Sequence, residues 1–128
     1  MGKVALPIGL IGIVDKEMKK DHWGTLKALA AMGYRGIESP WGYEGLGLGA
    51  VEYRKRLADL GLEVPITWTE AKALESDYAG ELARFRALEC RNAVIYWSTC
   101  GSREEILRDM VRFSAMGRKL KGDGIRLC

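Results

Sequence analysis

Four times along this chain a helix end runs through a turn residue into a short apolar strand. Leu29-Ala30-Ala31-Met32-Gly33-Tyr34-Arg35-Gly36-Ile37-Glu38 is the first copy. Leu57-Ala58-Asp59-Leu60-Gly61-Leu62-Glu63-Val64-Pro65-Ile66 is the second. The third, Phe85-Arg86-Ala87-Leu88-Glu89-Cys90-Arg91-Asn92-Ala93-Val94-Ile95, has Asn92 near the cap, and Leu120-Lys121-Gly122-Asp123-Gly124-Ile125 is the fourth. Ile37, Ile66, Ile95 and Ile125 are 29, 29 and 30 residues apart. Gly33 and Gly61 can take the left-handed conformation that ends a helix, which other residues reach only at a cost.

Between these strands the apolar residues recur at helical spacing. Trp23, Leu26, Leu29 and Ala30 share a face, as do Val51, Leu57 and Leu60 with Tyr53 alongside. Leu82, Phe85 and Leu88 make the third face, and Ile106, Leu107, Met110, Phe113, Met116 and Leu120 the fourth. Ser102 before Arg103-Glu104-Glu105 predicts an N-cap with carboxylates in the first turn. The strands are short and mostly unalternating, as when both faces are buried. They are predicted near 4–9, 35–39, 63–67, 92–97 and 124–128. The result is one α/β domain over 1–128, β1-α1-β2-α2-β3-α3-β4-α4-β5, with right-handed crossovers. Two architectures share this start: half of a (β/α)8 TIM barrel, and a flavodoxin-like five-stranded doubly wound sheet. The last copy, Gly124 to Cys128, reads as the opening of a buried strand, so the expectation is the N-terminal half of a barrel.

Composition excludes several classes. The net charge is +3, and the basic residues are interleaved with Glu and Asp along helices, the pattern of solvated faces. No basic stripe with aromatics stands out, so no nucleic-acid partner is expected. The three cysteines, Cys90, Cys100 and Cys128, are odd in number and lack C-x-x-C spacing. That argues against a disulfide framework or a structural zinc and fits a reducing cytoplasm. The apolar run from Val4 to Val14 is too short to span a membrane and holds Pro7, Gly9 and Gly12, so it reads as a buried first strand.

Ligands in both architectures sit at the carboxyl ends of the strands. Strand two leads into Glu38-Ser39-Pro40-Trp41, strand three into Thr67-Trp68-Thr69-Glu70, and strand four into Tyr96-Trp97-Ser98-Thr99. Three of the four tryptophans thus fall on one rim. They can plug a barrel mouth as packing, or wall a pocket for a sugar or polyol whose C–H faces stack on indole. Glu38 is the carboxylate most exposed to the need for a partner at that end, and Glu38, Trp41, Trp68 and Trp97 are the expected substrate wall. Glu70 can instead belong to the first turn of the next helix. His22, the single histidine, is expected to cap on the surface. Cys100 and Cys128 read as small buried residues. Gly45-Leu46-Gly47-Leu48-Gly49 lacks the Lys-Ser/Thr of a phosphate loop and reads as a flexible loop over the rim.

Several stretches together resemble the sugar phosphate isomerase/epimerase family of xylose isomerase-like TIM barrels. They are Lys3-Val4-Ala5-Leu6, Asp15-Lys16-Glu17-Met18-Lys19-Lys20-Asp21, Trp23-Gly24-Thr25-Leu26, Gly33-Tyr34-Arg35-Gly36-Ile37-Glu38, Gly61-Leu62-Glu63-Val64 and Gly124-Ile125-Arg126-Leu127-Cys128. The G-Y-x-G-[IV]-E stretch is the most specific. The resemblance implies a protein about twice this length. It also implies a divalent metal of the Mn, Mg or Zn type, held by Glu, Asp and His on later strands, and proton transfer next to a carbonyl or hydroxyl-bearing carbon. Within this chain only Glu38 matches a strand-end position of the family, and not as a main metal ligand. The first strand departs, with Pro7-Ile8-Gly9-Leu10-Ile11-Gly12-Ile13 where many relatives have a more polar end. The expectations are therefore no metal and no catalysis in this chain alone, a sugar or polyol ligand, and a homo-oligomer formed through exposed sheet edges.

Overall fold

The computed structural model describes residues 7–10, 12–38, 43–98 and 100–128. Five strands form one parallel sheet: β1 (Pro7–Gly9), β2 (Gly36–Glu38), β3 (Glu63–Thr69), β4 (Asn92–Ile95) and β5 (Arg126–Leu127). Their order across the sheet is their order in the chain. A doubly wound sheet reverses direction at a switch point, and this sheet has none. The flavodoxin-like alternative is thereby overturned, and the architecture is half of a (β/α)8 barrel. Sequential order with right-handed crossovers places the helices on one side and leaves the other side as the barrel's inner face.

Each helical layer ends the same way. The backbone N–H groups of Tyr34, Leu62, Cys90 and Ile125 donate back to the carbonyls of Leu29, Leu57, Phe85 and Leu120. These are Schellman caps, and each capped residue is also a core residue no more than 4% exposed. The left-handed position is Gly33, Gly61 and Gly124 in three of them. In the remaining one it is Glu89, at φ 53°, and not Asn92. Its carboxylate pairs with Arg54 at 3.0 Å, but the side chain is 70% exposed, so that pair contributes little. Glu89→Gly is expected to raise the unfolding free energy by about 0.5–1 kcal/mol in urea titration, because a Cβ in this conformation costs more than an exposed ion pair returns. A loss of stability in that variant would mean the Arg54 contact outweighs the backbone strain.

Six α-helices are described where four were expected. α1 (Asp15–Lys20) and α2 (His22–Ala31) break at Asp21, and α4 (Ala71–Ser76) and α5 (Tyr78–Ala87) break at Asp77. Each aspartate caps the second helix by accepting from the N–H of Gly24 or Gly80. α3 (Ala50–Asp59) and α6 (Arg103–Gly122) are single, and Ser102 caps α6 as expected, accepting from Glu105 N–H. The core under α2 and α3 gathers Ile8, Leu26, Leu29, Ile37, Tyr53, Leu57 and Val64; that under α5 and α6 gathers Phe85, Ala93, Leu120 and Ile125. Val51 is not part of the first core. It lies on the solvent side of the face made by Tyr53 and Leu57. Only Leu120 of α6 is buried, whereas Ile106, Leu107 and Met110 of the expected apolar face are exposed.

One irregularity sets which residues face inward. Gly36 pairs with Glu63, but Glu38 pairs with Ile66, so β3 carries one extra residue at a bulge. Pro65 sits in it, which a regular central strand would not tolerate, and its ring lies where a Cβ on Gly36 would be, 2.9 Å from Pro65 Cδ. Asn92 of β4 donates to the Pro65 carbonyl at 2.7 Å, satisfying it across the sheet. Beyond the bulge the alternation is reset. Thr67 and Thr69 turn toward α5, each no more than 4% exposed, and Ile66 and Trp68 turn to the inner face.

Candidate functional site

Glu38 ends β2 beside the buried Ile37, so alternation directs its side chain to the inner face. It is held there from both sides. Trp68 Nε1–H donates to Oε1 at 2.6 Å, and Oε2 lies over Gly9 of β1, 3.3 Å from where a Cβ would stand. The Trp68 ring stacks on Tyr96, just past the end of β4, with centroids 5.1 Å apart and planes 24° from parallel. Tyr96 O–H in turn donates to Glu70 Oε1 at 3.3 Å. Desolvation first, then the Glu70 carboxylate, raises the Tyr96 phenol above its ordinary range. A carboxylate, two stacked rings and a second carboxylate therefore run across the carboxyl ends of β2, β3 and β4.

The support behind this row comes from α5. Arg84 donates to the Trp68 carbonyl at 2.9 Å and to Thr67 Oγ1 at 3.3 Å, and it is ion-paired with Glu81. Thr69 Oγ1–H donates to the same Glu81 at 2.6 Å. Burial pushes the Glu81 carboxyl up, but the hydrogen bonds from Arg84 and Thr69 more than offset this and leave it below its ordinary value. Nothing in the sequence pattern marked Arg84, because its partners lie on the far side of a strand whose parity depends on the Pro65 bulge.

The expected wall residues are not all brought together. Glu38 and Trp68 are in direct contact, and Trp68 belongs to β3 itself rather than to the loop after it. Trp97 is on the same rim but 74% exposed. Trp41 lies outside the described residues, as do positions 4–6 of the first expected strand. Tyr96 was not among the expected residues, although it adjoins Trp97 at a strand end. His22 is not a surface cap: Asp21 caps α2, while His22 is half-buried with Nε2 2.8 Å from Tyr53 Oη. Burial lowers its pKa, and the neighbouring Asp21 only partly opposes that. Cys100 and Cys128 are exposed and Cys90 is the buried one; all three are free. The glycine-rich segment over the rim is tied to the core through Tyr43, which accepts from Leu46 and Leu48 N–H and stacks on Tyr53.

A cleft of about 850 Å³ is at the opposite end of the sheet, around Glu63, Asn92 and Gly124. It is lined by charges that pair with each other, Arg54 with Glu89 and Arg86 with Asp123. The amino-end face of such folds serves stability, so the carboxyl-end row is the candidate site. Among the described residues no three His, Cys, Asp or Glu side chains converge as a metal would require, and no helix is long and apolar enough to cross a membrane.

The geometry defines half of a (β/α)8 barrel with a carboxylate and aromatic pair at its carboxyl-end mouth. The solved structures it matches have this fold. A sugar phosphate isomerase/epimerase from Parabacteroides distasonis ATCC 8503 aligns at TM-score 0.77 and 15% identity, over 99% of this chain and 51% of its own. A xylose isomerase-like TIM barrel/4-hydroxyphenylpyruvate dioxygenase fusion protein aligns at 0.64 and 18%, over 98% and 21%. A family 2 AP endonuclease from Brucella melitensis aligns at 0.65 and 16%, over 97% and 54%. The chain thus spans about half the length of the first of these, or less in the fusion protein. No family model and no curated protein matches the sequence.

Proposed function

We propose that this chain forms the substrate-holding wall of a sugar isomerase/epimerase-type barrel, with a sugar or polyol lying across Glu38, Trp68 and Tyr96. The observation that carries this reading is the Glu38 carboxylate fixed between Gly9 and Trp68 on the inner face, beside the stacked Trp68 and Tyr96 rings. Glu38 accepts hydrogen bonds from substrate hydroxyls, and the rings offer flat apolar surface to its C–H faces. The likeness to a sugar phosphate isomerase/epimerase structure supports it at the level of fold. The free cysteines support a reducing, cytoplasmic setting.

The divalent metal that the family resemblance implies does not fit the described residues, among which no three candidate ligands converge. Moving a proton between neighbouring carbons needs an acid and a base placed on the substrate. Glu38, occupied by Trp68, is an orienting acceptor and not such a pair. The chain alone is therefore inactive in this reading.

Tryptophan emission reports the site directly. Titration with pentoses, hexoses and linear polyols is expected to give a saturable change for at least one of them. Glu38→Gln is expected to weaken that binding about tenfold, the worth of a hydrogen bond to a charged acceptor. Emission that responds to none of them, or a Glu38→Gln chain that binds as tightly as the parent, would overturn the proposal.

A further inference from the structure

We propose that a second cleft, outside the barrel mouth, holds a phosphate or similar oxyanion against Trp97. This open cleft, about 440 Å³, is lined by the start of α4, the Tyr96–Trp97–Ser98 segment and the Arg108–Phe113 stretch of α6. Its charged lining residues are Glu70, Lys72, Arg108, Asp109 and Arg112. The acids are already engaged. Glu70 accepts from Tyr96, and Asp109 accepts from Ser98 Oγ at 2.6 Å and lies 3.7 Å from Arg112. Arg112 is in turn taken by Glu75 on α4. Two cations are left over: among the described residues neither Lys72 nor Arg108 has a carboxylate partner.

The third wall is the Trp97 indole, 74% exposed and with no ring or hydrogen-bond partner among the described residues. A ring of that size is costly to leave in water unless something covers it. Two uncommitted cations beside an uncovered indole suit an oxyanion carried on a small stem. The Arg108 fork matches two phosphate oxygens, Lys72 adds a point charge, and the stem lies on Trp97. Tyr96 belongs to both sites, stacking on Trp68 and lining this cleft. That the oxyanion and the sugar are parts of one ligand rests on the function proposed above; the oxyanion site itself does not.

The test is calorimetric titration at matched ionic strength with inorganic phosphate, a free pentose and the terminal phosphate monoester of that pentose. The chain, Arg108→Met, Lys72→Met and Glu38→Gln are compared after circular dichroism shows each to be folded. Phosphate is expected to bind the parent, and the monoester to bind about tenfold more tightly than the free pentose. Both effects are expected to vanish in Arg108→Met and Lys72→Met, with pentose binding unchanged. Glu38→Gln is expected to weaken pentose and monoester alike and to leave phosphate untouched. Phosphate binding that depends on Arg108 with no pentose binding keeps the oxyanion site and removes the sugar reading. Pentose binding that depends on Glu38 without any preference for the monoester does the reverse. Phosphate binding indifferent to both cations also overturns the site.

Discussion

Arg84→Met is expected to lower the unfolding free energy at neutral pH by about 2–4 kcal/mol, the range for stripping one partner from a largely buried ion pair. The Arg84 and Glu81 side chains are only 26% and 17% exposed. Without the guanidinium, Glu81 keeps only the Thr69 hydroxyl, and the Trp68 carbonyl and Thr67 hydroxyl lose a donor. Methionine replaces most of the aliphatic packing, so the loss is electrostatic, and its pH dependence has a definite sign. In the parent the folded Glu81 carboxyl lies below its unfolded value of about 4.3. Its contribution is therefore complete above that value and is lost as pH falls through the lower, folded one. In the variant only the Thr69 hydrogen bond opposes burial, so the folded carboxyl moves up and less stability is lost on protonation in acid. The gap between parent and variant, measured in urea, should accordingly narrow from neutral pH toward acid. A gap independent of pH would show that packing, not the ion pair, holds the end of β3. A double cycle with Glu81→Gln isolates the pair itself. Arg84 is a positioning residue for Trp68, so the same variant should weaken sugar binding without touching any group that meets the ligand.

The architecture was legible because its punctuation is local. The Leu-x-x-x-Gly ends at Leu29, Leu57 and Leu120 encode a cap that needs only neighbouring residues, and all three formed. What the pattern missed depended on a partner far along the chain. The third cap falls on Glu89, where no glycine announced it, because the buried Phe85 fixes the register and the backbone follows. Trp68 read as a loop residue. The bulge at Pro65, which has meaning only against Gly36 and Asn92, instead keeps it in β3 and turns it inward to Glu38. The breaks at Asp21 and Asp77 were legible in retrospect as Asp-x-x-Gly, a cap in which a Cβ on the glycine would collide with the aspartate. Apolar spacing started the first helix only at Trp23 and missed α1, and it carried the third helix straight through Asp77. Spacing also overstated α6, where Ile106, Leu107 and Met110 have helical periodicity but no described neighbour to cover them. Glu38 stood out in the sequence as a charge that directly follows an apolar strand and needs a partner there; that the partner is Trp68 of the next strand was not legible.

Self-association through β5 is the second large effect expected. Among the described residues β5 pairs only with β4, through Arg126 N–H to the Arg91 carbonyl and Cys128 N–H to the Ala93 carbonyl. Alternation then sends the Leu127 N–H to the outer edge, where a cleft of about 550 Å³ lies beside β5 and α6. An unpaired edge next to an open cleft is a template for another strand. The occupant expected is a second copy of the chain. Two identical edges related by a two-fold axis meet antiparallel, so β5 against β5 of the other copy closes both edges with one set of bonds. Sedimentation over a dilution series should show a dimer that dissociates as concentration falls. Leu127→Pro removes the outward donor and leaves both bonds to β4 intact, since those come from Arg126 and Cys128. Proline is tolerated at such an edge position, and the variant should sediment as a folded monomer. Arg126→Pro breaks the inward bond instead and should loosen β5 itself, seen as faster amide exchange in β4. A parent chain that is monomeric throughout, or a Leu127→Pro chain that dimerises as before, would remove the β5 edge as the interface. Dimerisation that survives Leu127→Pro but fails in Val111→Lys would move the interface to the exposed face of α6, where Val111 is 72% exposed.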